Sequence, residues 1–251
     1  MKSSTLGILG GLGPAAGIYF CELITDHTKA TCDQEHVNFL LSSRADTPDR
    51  TAFILGKSNA DPAPVMAEEA KKLVAAGADC LVIPCNTAHY FYDAVAAATG
   101  ATVLHIIEET VGFCKACGIK RVGVLATEGT VKSGAYEKVC HRLGVGYDTC
   151  TPEEQATVSH IIYGQIKKGQ APDVDALRSI GNAMKKRGCE ALILGCTELS
   201  LLKRDANLGS EYVDSREVLA AATICHCGKE PIGFDPLLIK YYSTKGNNPC
   251  C

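Results

Sequence analysis

Val82-Ile83-Pro84-Cys85-Asn86-Thr87-Ala88-His89 and Leu192-Ile193-Leu194-Gly195-Cys196-Thr197-Glu198-Leu199 share one design. In each, a short apolar run of strand character ends in a cysteine, and polar residues that include a threonine then open a helix. A thiol so placed sits at the mouth of a strand-to-helix turn. Free backbone N–H groups and the positive end of the helix dipole there favour the thiolate. Two such segments predict a pair of thiols facing one small site, one serving as acid and the other as base.

Outward from these segments the chain alternates strand and helix, the pattern of parallel sheets covered by helices. Strands are expected at Thr5–Leu9, Val37–Ser43, Asp79–Pro84, Thr102–Leu104, Arg121–Ala126 and Ala191–Gly195. Helices are expected at Pro14–His27, Pro62–Ala76, Thr87–Thr99, Thr130–Leu143, Glu153–Lys168 and Asp173–Arg187. Gly7-Ile8-Leu9-Gly10 is echoed by Gly123-Val124-Leu125-Ala126, and each is followed at a similar interval by a cysteine strand. The fold class is therefore α/β: two pseudo-symmetric parallel-sheet domains with the active site in the cleft between them, where strand C-terminal ends meet. The first lobe covers residues 1–103 and the second 104–208. Residues 231–251 read as a partly ordered tail.

The 251 residues carry a formal net charge of −3 and no lysine/arginine cluster, so neither nucleic acid nor an anionic membrane is an expected partner. The glycines at 7, 10, 11 and 13 break up the apolar N-terminal stretch and suit a strand and turn better than a signal core. No run is apolar and long enough to span a bilayer. A soluble cytoplasmic protein is the expectation. Of the 14 cysteines, several lie in apolar or helical contexts (Cys21, Cys80, Cys140, Cys189), as reduced thiols acting as small hydrophobes do. Cys225-His226-Cys227 and Cys250-Cys251 lack paired C-x-x-C spacing, so no metal site is expected.

Gly11-Leu12-Gly13-Pro14-Ala15-Ala16 fits G-x-G-x-x-A between a strand and a helix. The acidic residue that should cap the second strand is missing, and that strand ends at Arg44, which could accept a 2′-phosphate. An NADP-dependent oxidoreductase is thus one alternative. A glycine turn that lets backbone approach a small anionic ligand is the simpler reading.

The chain resembles the PLP-independent aspartate/glutamate racemase family, and within it the aspartate racemase branch. The residues carrying the resemblance are Gly10-Gly11-Leu12-Gly13-Pro14, Thr47-Pro48-Asp49-Arg50, Pro84-Cys85-Asn86-Thr87-Ala88-His89, Ala126-Thr127-Glu128-Gly129-Thr130 and Gly195-Cys196-Thr197-Glu198-Leu199. The resemblance implies a cofactor-independent racemase of aspartate, and of glutamate as a further candidate, working as a homodimer. It implies catalytic roles for Cys85 and Cys196 and substrate contacts from Leu12, Asn86, Thr87, Thr127, Thr130, Thr197 and Glu198. Arg50 matches the arginine that grips the side-chain carboxylate, and Lys167, with Lys168 as its rival, the lysine that assists there. By the same resemblance a helix over 209–230 returns to the first lobe.

Without an electron sink the carbanion must be stabilised electrostatically, by backbone N–H groups at the two helix starts and by Thr127 and Thr130. Cys196 is assigned to the L-face. His89 is a candidate for orienting Thr87 or the substrate, or a semi-buried helix residue. A non-catalytic amino-acid-binding module is the other alternative, but it leaves the twin cysteines without a task.

Overall fold

The computed structural model describes residues 4–206 and 208–245; Cys250-Cys251 and the first three residues lie outside that range. Among the described residues eight strands form two parallel sheets of four, ordered β2-β1-β3-β4 and β6-β5-β7-β8. The first holds β1 (Thr5–Gly10), β2 (Asn38–Ser43), β3 (Cys80–Val82) and β4 (Thr102–Leu104). The second holds β5 (Arg121–Ala126), β6 (Gly146–Thr149), β7 (Ala191–Gly195) and β8 (Tyr212–Asp214). The two orders are identical, so the duplication visible in the sequence is a duplication of topology. Leu6 pairs with Cys80 in one sheet as Val122 pairs with Ala191 in the other.

The inner strands are buried on both faces, which is why they read as unbroken apolar runs. Alternate residues of β1, β3, β5 and β7 (Leu6, Ile8, Cys80, Val82, Val122, Val124, Ala191, Ile193) enter one central core. Leu81, Ile83 and Cys85 face a second core on the outer side of the first sheet. Leu192, Leu194 and Cys196 do the same in the second. The two cysteines thus continue the same parity of equivalent strands.

α11 (Ser215–His226) runs through the central core, with Val218 to Ile224 buried all round. Its Ala220-Ala221-Ala222 stretch lets α1 (Pro14–Asp26) and α5 (Ile106–Ala116) pack closely on it. The expected helix over 209–230 is therefore shorter. Residues 212–214 extend instead and pair with β7, which draws this stretch into the second sheet. β6 and β8, of four and three residues, are strands that the sequence reading does not include. The expected helix Thr130–Leu143 breaks at Gly134, whose φ of +67 separates α6 (Glu128–Lys132) from α7 (Ala135–Leu143). Within the expected tail, Pro236–Lys245 is a helix, α12. Its Leu238 and Tyr242 are buried, and Tyr242 Oη donates to Glu109 at 2.7 Å. No helix among the described residues is long and apolar enough to cross a membrane.

Candidate active site

The cleft between the sheets holds a pocket at the C-terminal ends of β3 and β7, with about 330 Å³ of atom-free space that is partly open to solvent. Its wall contains Cys85, Cys196, Leu12, Arg50, Asn86, Thr87, Thr127, Lys167, Thr197 and Glu198. Thr130 stands behind the wall. Asp49, Thr51 and Tyr163 also line the cavity and were not singled out from sequence.

Cys196 leaves β7 and directly precedes α10 (Thr197–Ala206), as its segment predicts. Cys85 is followed not by a regular α-helix but by a 3₁₀ turn over Thr87–Phe91, after which α4 (Tyr92–Thr99) begins. His89 supplies the reason. Its ring Nδ1 donates to the Cys85 carbonyl at 2.9 Å, the acceptor an α-turn would have offered to the His89 amide. That amide bonds Asn86 O instead. The Ile106 amide donates to His89 Nε2 at 3.2 Å, which assigns the ring proton to Nδ1. Burial and the neighbouring His105 push this histidine down to about 3, so it is neutral. It positions the Cys85 turn and does not line the cavity.

Arg50 opens α2 (Arg50–Ile54), which Asp49 caps by accepting from the Ala52 amide. Carbonyls, not carboxylates, hold its guanidinium: Thr47 O, Pro48 O and Leu12 O lie at 3.1, 3.0 and 3.0 Å. Its Nε has no hydrogen-bond partner among the described residues. A buried fork fixed in this way is preorganised for a planar anion. The Gly-rich turn serves this wall differently from the expected anion cradle. A Cβ on Gly13, at φ +134, would stand 2.8 Å from Glu198 Oε1, and one on Gly11 would strike the Arg44 backbone. Its glycines thus admit the chain's own atoms. Arg44 itself is taken by Asp46 at 2.7 Å and Glu69 at 2.8 Å, which leaves it unsuited to a 2′-phosphate.

From the second lobe, α8 (Pro152–Ser159) continues through a π-helical stretch, His160–Gln165, into a 3₁₀ turn at Ile166–Lys168. The wider π turn brings Tyr163 and Lys167 to the cavity. Tyr163 Oη donates to Thr51 Oγ1 at 2.9 Å across the cleft. Lys167 Nζ pairs with Glu198 Oε1 at 2.8 Å, while Lys168 does not line the cavity. The other oxygen, Oε2, accepts from the Cys196 thiol at 3.0 Å. Burial alone would raise the Glu198 carboxyl, but the Lys167 ammonium and these hydrogen bonds hold it below the usual range.

The lobes also meet through hydroxyls and an amide. Thr87, Thr127 and Thr130 form a triangle of Oγ1 atoms with sides of 2.9, 2.8 and 3.0 Å. Asn86 donates to Ser215 Oγ at 3.0 Å and accepts from Tyr136 Oη at 2.7 Å.

Both cavity thiols are raised. Burial is the larger cause for each. Arg50, the Ala88 amide and Lys167 oppose it at Cys85, the Glu198 amide and Lys167 oppose it at Cys196, and the Glu198 carboxylate adds to it at both. The helix-start N–H groups act in the expected direction, but desolvation outweighs them. Among the described residues the twelve cysteines are unbridged, and no His, Cys, Asp and Glu side chains group to hold a metal ion.

The model of the Asp/Glu/hydantoin racemase family matches residues 9–223. The chain belongs to this family. The broad-specificity amino-acid racemase RacX of Bacillus subtilis is 27% identical over 224 residues, 87% of this chain and 96% of its own. Among solved structures, the aspartate racemase of Picrophilus torridus superposes with a TM-score of 0.79 at 28% identity, covering 96% of this chain and 98% of the other. An aspartate racemase homologue from Pyrococcus horikoshii shares the fold, with a TM-score of 0.73 at 22% identity over 90% of this chain and 99% of its own.

Proposed function

We propose that this protein is a cofactor-independent amino-acid racemase that interconverts L- and D-aspartate, with Cys85 and Cys196 as acid and base on opposite faces of Cα. One observation carries the reading. One cavity holds two thiols at equivalent strand ends together with a guanidinium braced by three carbonyls. Arg50 takes the side-chain carboxylate by its fork, and Lys167 assists. Helix-start amides after Cys85 and Cys196 meet the α-carboxylate, on which negative charge grows as the α-proton leaves. One thiolate removes that proton and the thiol opposite delivers another, so the configuration inverts. The chemistry requires both sulfurs reduced, which fits a cytoplasmic location.

The test is chiral chromatography of L-aspartate and L-glutamate incubated with the reduced protein in heavy water, with no PLP added. D-Aspartate carrying deuterium at Cα is the expected product, with glutamate slower because its extra methylene must be seated between the same braced Arg50 fork and the two thiols. No D-isomer from either amino acid overturns the assignment.

A further inference from the structure

A two-thiol racemisation needs one thiolate and one thiol, yet both cavity cysteines are buried and disposed to keep their protons. One proton must therefore be stored close by when the substrate binds. Cys85 faces Arg50, a group that cannot accept it. Cys196 already directs its S–H at an ionised carboxylate, Glu198 Oε2, 3.0 Å away. The other carboxylate oxygen is held by Lys167 at 2.8 Å. This ion pair also borders an adjoining recess of about 550 Å³ beside Gly13, Ile166 and Leu201, so an arriving anion can reach it.

We propose that Glu198 is the proton acceptor of Cys196 and that the substrate's own distal carboxylate switches it on by drawing Lys167 away. The proposal rests on the racemase reading above. In the free protein Lys167 keeps Glu198 a weak base. When a second carboxylate claims the ammonium, Glu198 is left in a buried site with less positive charge against it, and a buried carboxylate binds a proton more tightly. The S–H bond of Cys196 then breaks, an O–H bond forms at Oε2, and the electron pair stays on sulfur. Net charge in the cavity is unchanged by the transfer. Cys85 and the buried Arg216 also feel this carboxylate. A substrate without a distal carboxylate leaves the pair intact and the thiol protonated, so substrate choice acts on turnover as well as binding.

Glu198→Gln separates this role from a structural one, because its two expected effects have opposite signs. Removing the negative charge frees Cys196 to ionise. Its alkylation by iodoacetamide, followed by peptide mass spectrometry, should shift to lower pH by about one unit or more. Removing the acceptor should lower kcat for aspartate by about 100-fold or more with a smaller change in KM. The remaining rate should rise toward alkaline pH, where hydroxide ionises the thiol instead. Glu198→Asp, shorter by one methylene, should shift alkylation the same way by less and recover part of kcat. It carries the test should the Gln variant not fold. An unchanged alkylation profile overturns the proposal, and so does wild-type kcat in Glu198→Gln. If the wild-type protein racemises no amino acid, the racemase reading fails. The alkylation profiles then still decide whether Glu198 governs the Cys196 proton.

Discussion

Tyr136 Oη, on α7 of the second lobe, donates a 2.7 Å hydrogen bond to Asn86 Oδ1, the residue after Cys85 in the first. Asn86 passes the contact on to Ser215, whose hydroxyl donates to Leu194 O on the strand leading to Cys196. One chain of polar groups therefore ties the two cysteine turns together. Tyr136 is fully buried, so Tyr136→Phe leaves Asn86 Oδ1 short of a donor that water cannot readily replace. The expected cost is about 2 kcal/mol, read as a fall of about 4–8 °C in the melting midpoint. A midpoint within 1 °C of wild type (roughly, given that scale) would show that Asn86 finds another donor.

Arg50→Lys tests the fork. A lysine keeps the positive charge but cannot present two parallel N–H groups, and it abandons at least one of the three carbonyls that brace Arg50. We expect kcat/KM for aspartate to fall about 30-fold, which corresponds to about 2 kcal/mol. The loss should fall chiefly on KM, because the fork grips the distal carboxylate before and during proton transfer alike. A loss confined to kcat would mean that Arg50 serves the cavity wall and not the distal carboxylate.

Stability should be lost at both ends of the pH scale, for separate reasons. Burial lowers His89 to about 3 and His105 to about 4, both below the ordinary value of about 6.5. The unfolded chain therefore binds more protons than the native one as pH falls below about 6.5. His89 alone should contribute a slope of up to about 1.4 kcal/mol per pH unit down to its folded value. On the alkaline side burial raises Cys140 to about 11 and Cys114 and Cys150 to about 12. Unfolded thiols ionise near 8.5, so the native state now binds more protons and stability falls above that pH. Urea midpoints at pH 4.5, 7 and 10 check both limbs. His89→Asn, which keeps a donor for the Cys85 carbonyl, should flatten the acid limb alone.

The parts of this site that could be read from the chain are those fixed by local rules. A cysteine at the end of an apolar run and before a helix announces its position without reference to any partner, and both Cys85 and Cys196 were found in that way. Lys167 could only be placed to within one residue, because the choice between it and Lys168 depends on the π turn at His160–Gln165, which advances the helix face by an extra residue. Tyr163 reaches the cavity through the same turn and left no local signal. Thr51 became a site residue by meeting Tyr163, 112 positions away. The Gly11–Gly13 turn was legible as a close approach, but what approaches it, Arg44 backbone and Glu198, comes from other elements. β6 and β8 were missed for a related reason: their strand conformation comes from β5 and β7 beside them, not from their own residues.

The two cysteines should fail in different ways when removed singly. Cys85→Ala leaves Cys196 able to take a proton from one face and return one to the same face, and Cys196→Ala leaves the opposite. Neither variant can invert Cα, so racemisation should fall about 1,000-fold or more in both directions, the upper part of the range for loss of an acid–base group. Exchange of the α-proton for deuterium should survive selectively: with L-aspartate in Cys85→Ala, where Cys196 is assigned to the L-face and keeps Glu198 beside it, and with D-aspartate in Cys196→Ala only toward alkaline pH, where hydroxide ionises Cys85. Proton NMR of each enantiomer in heavy water, followed by chiral chromatography, separates exchange from inversion. The reverse pattern would swap the faces and leave the two-thiol mechanism in place. Full racemisation by either variant would remove it, because a single thiol can serve only one face of Cα.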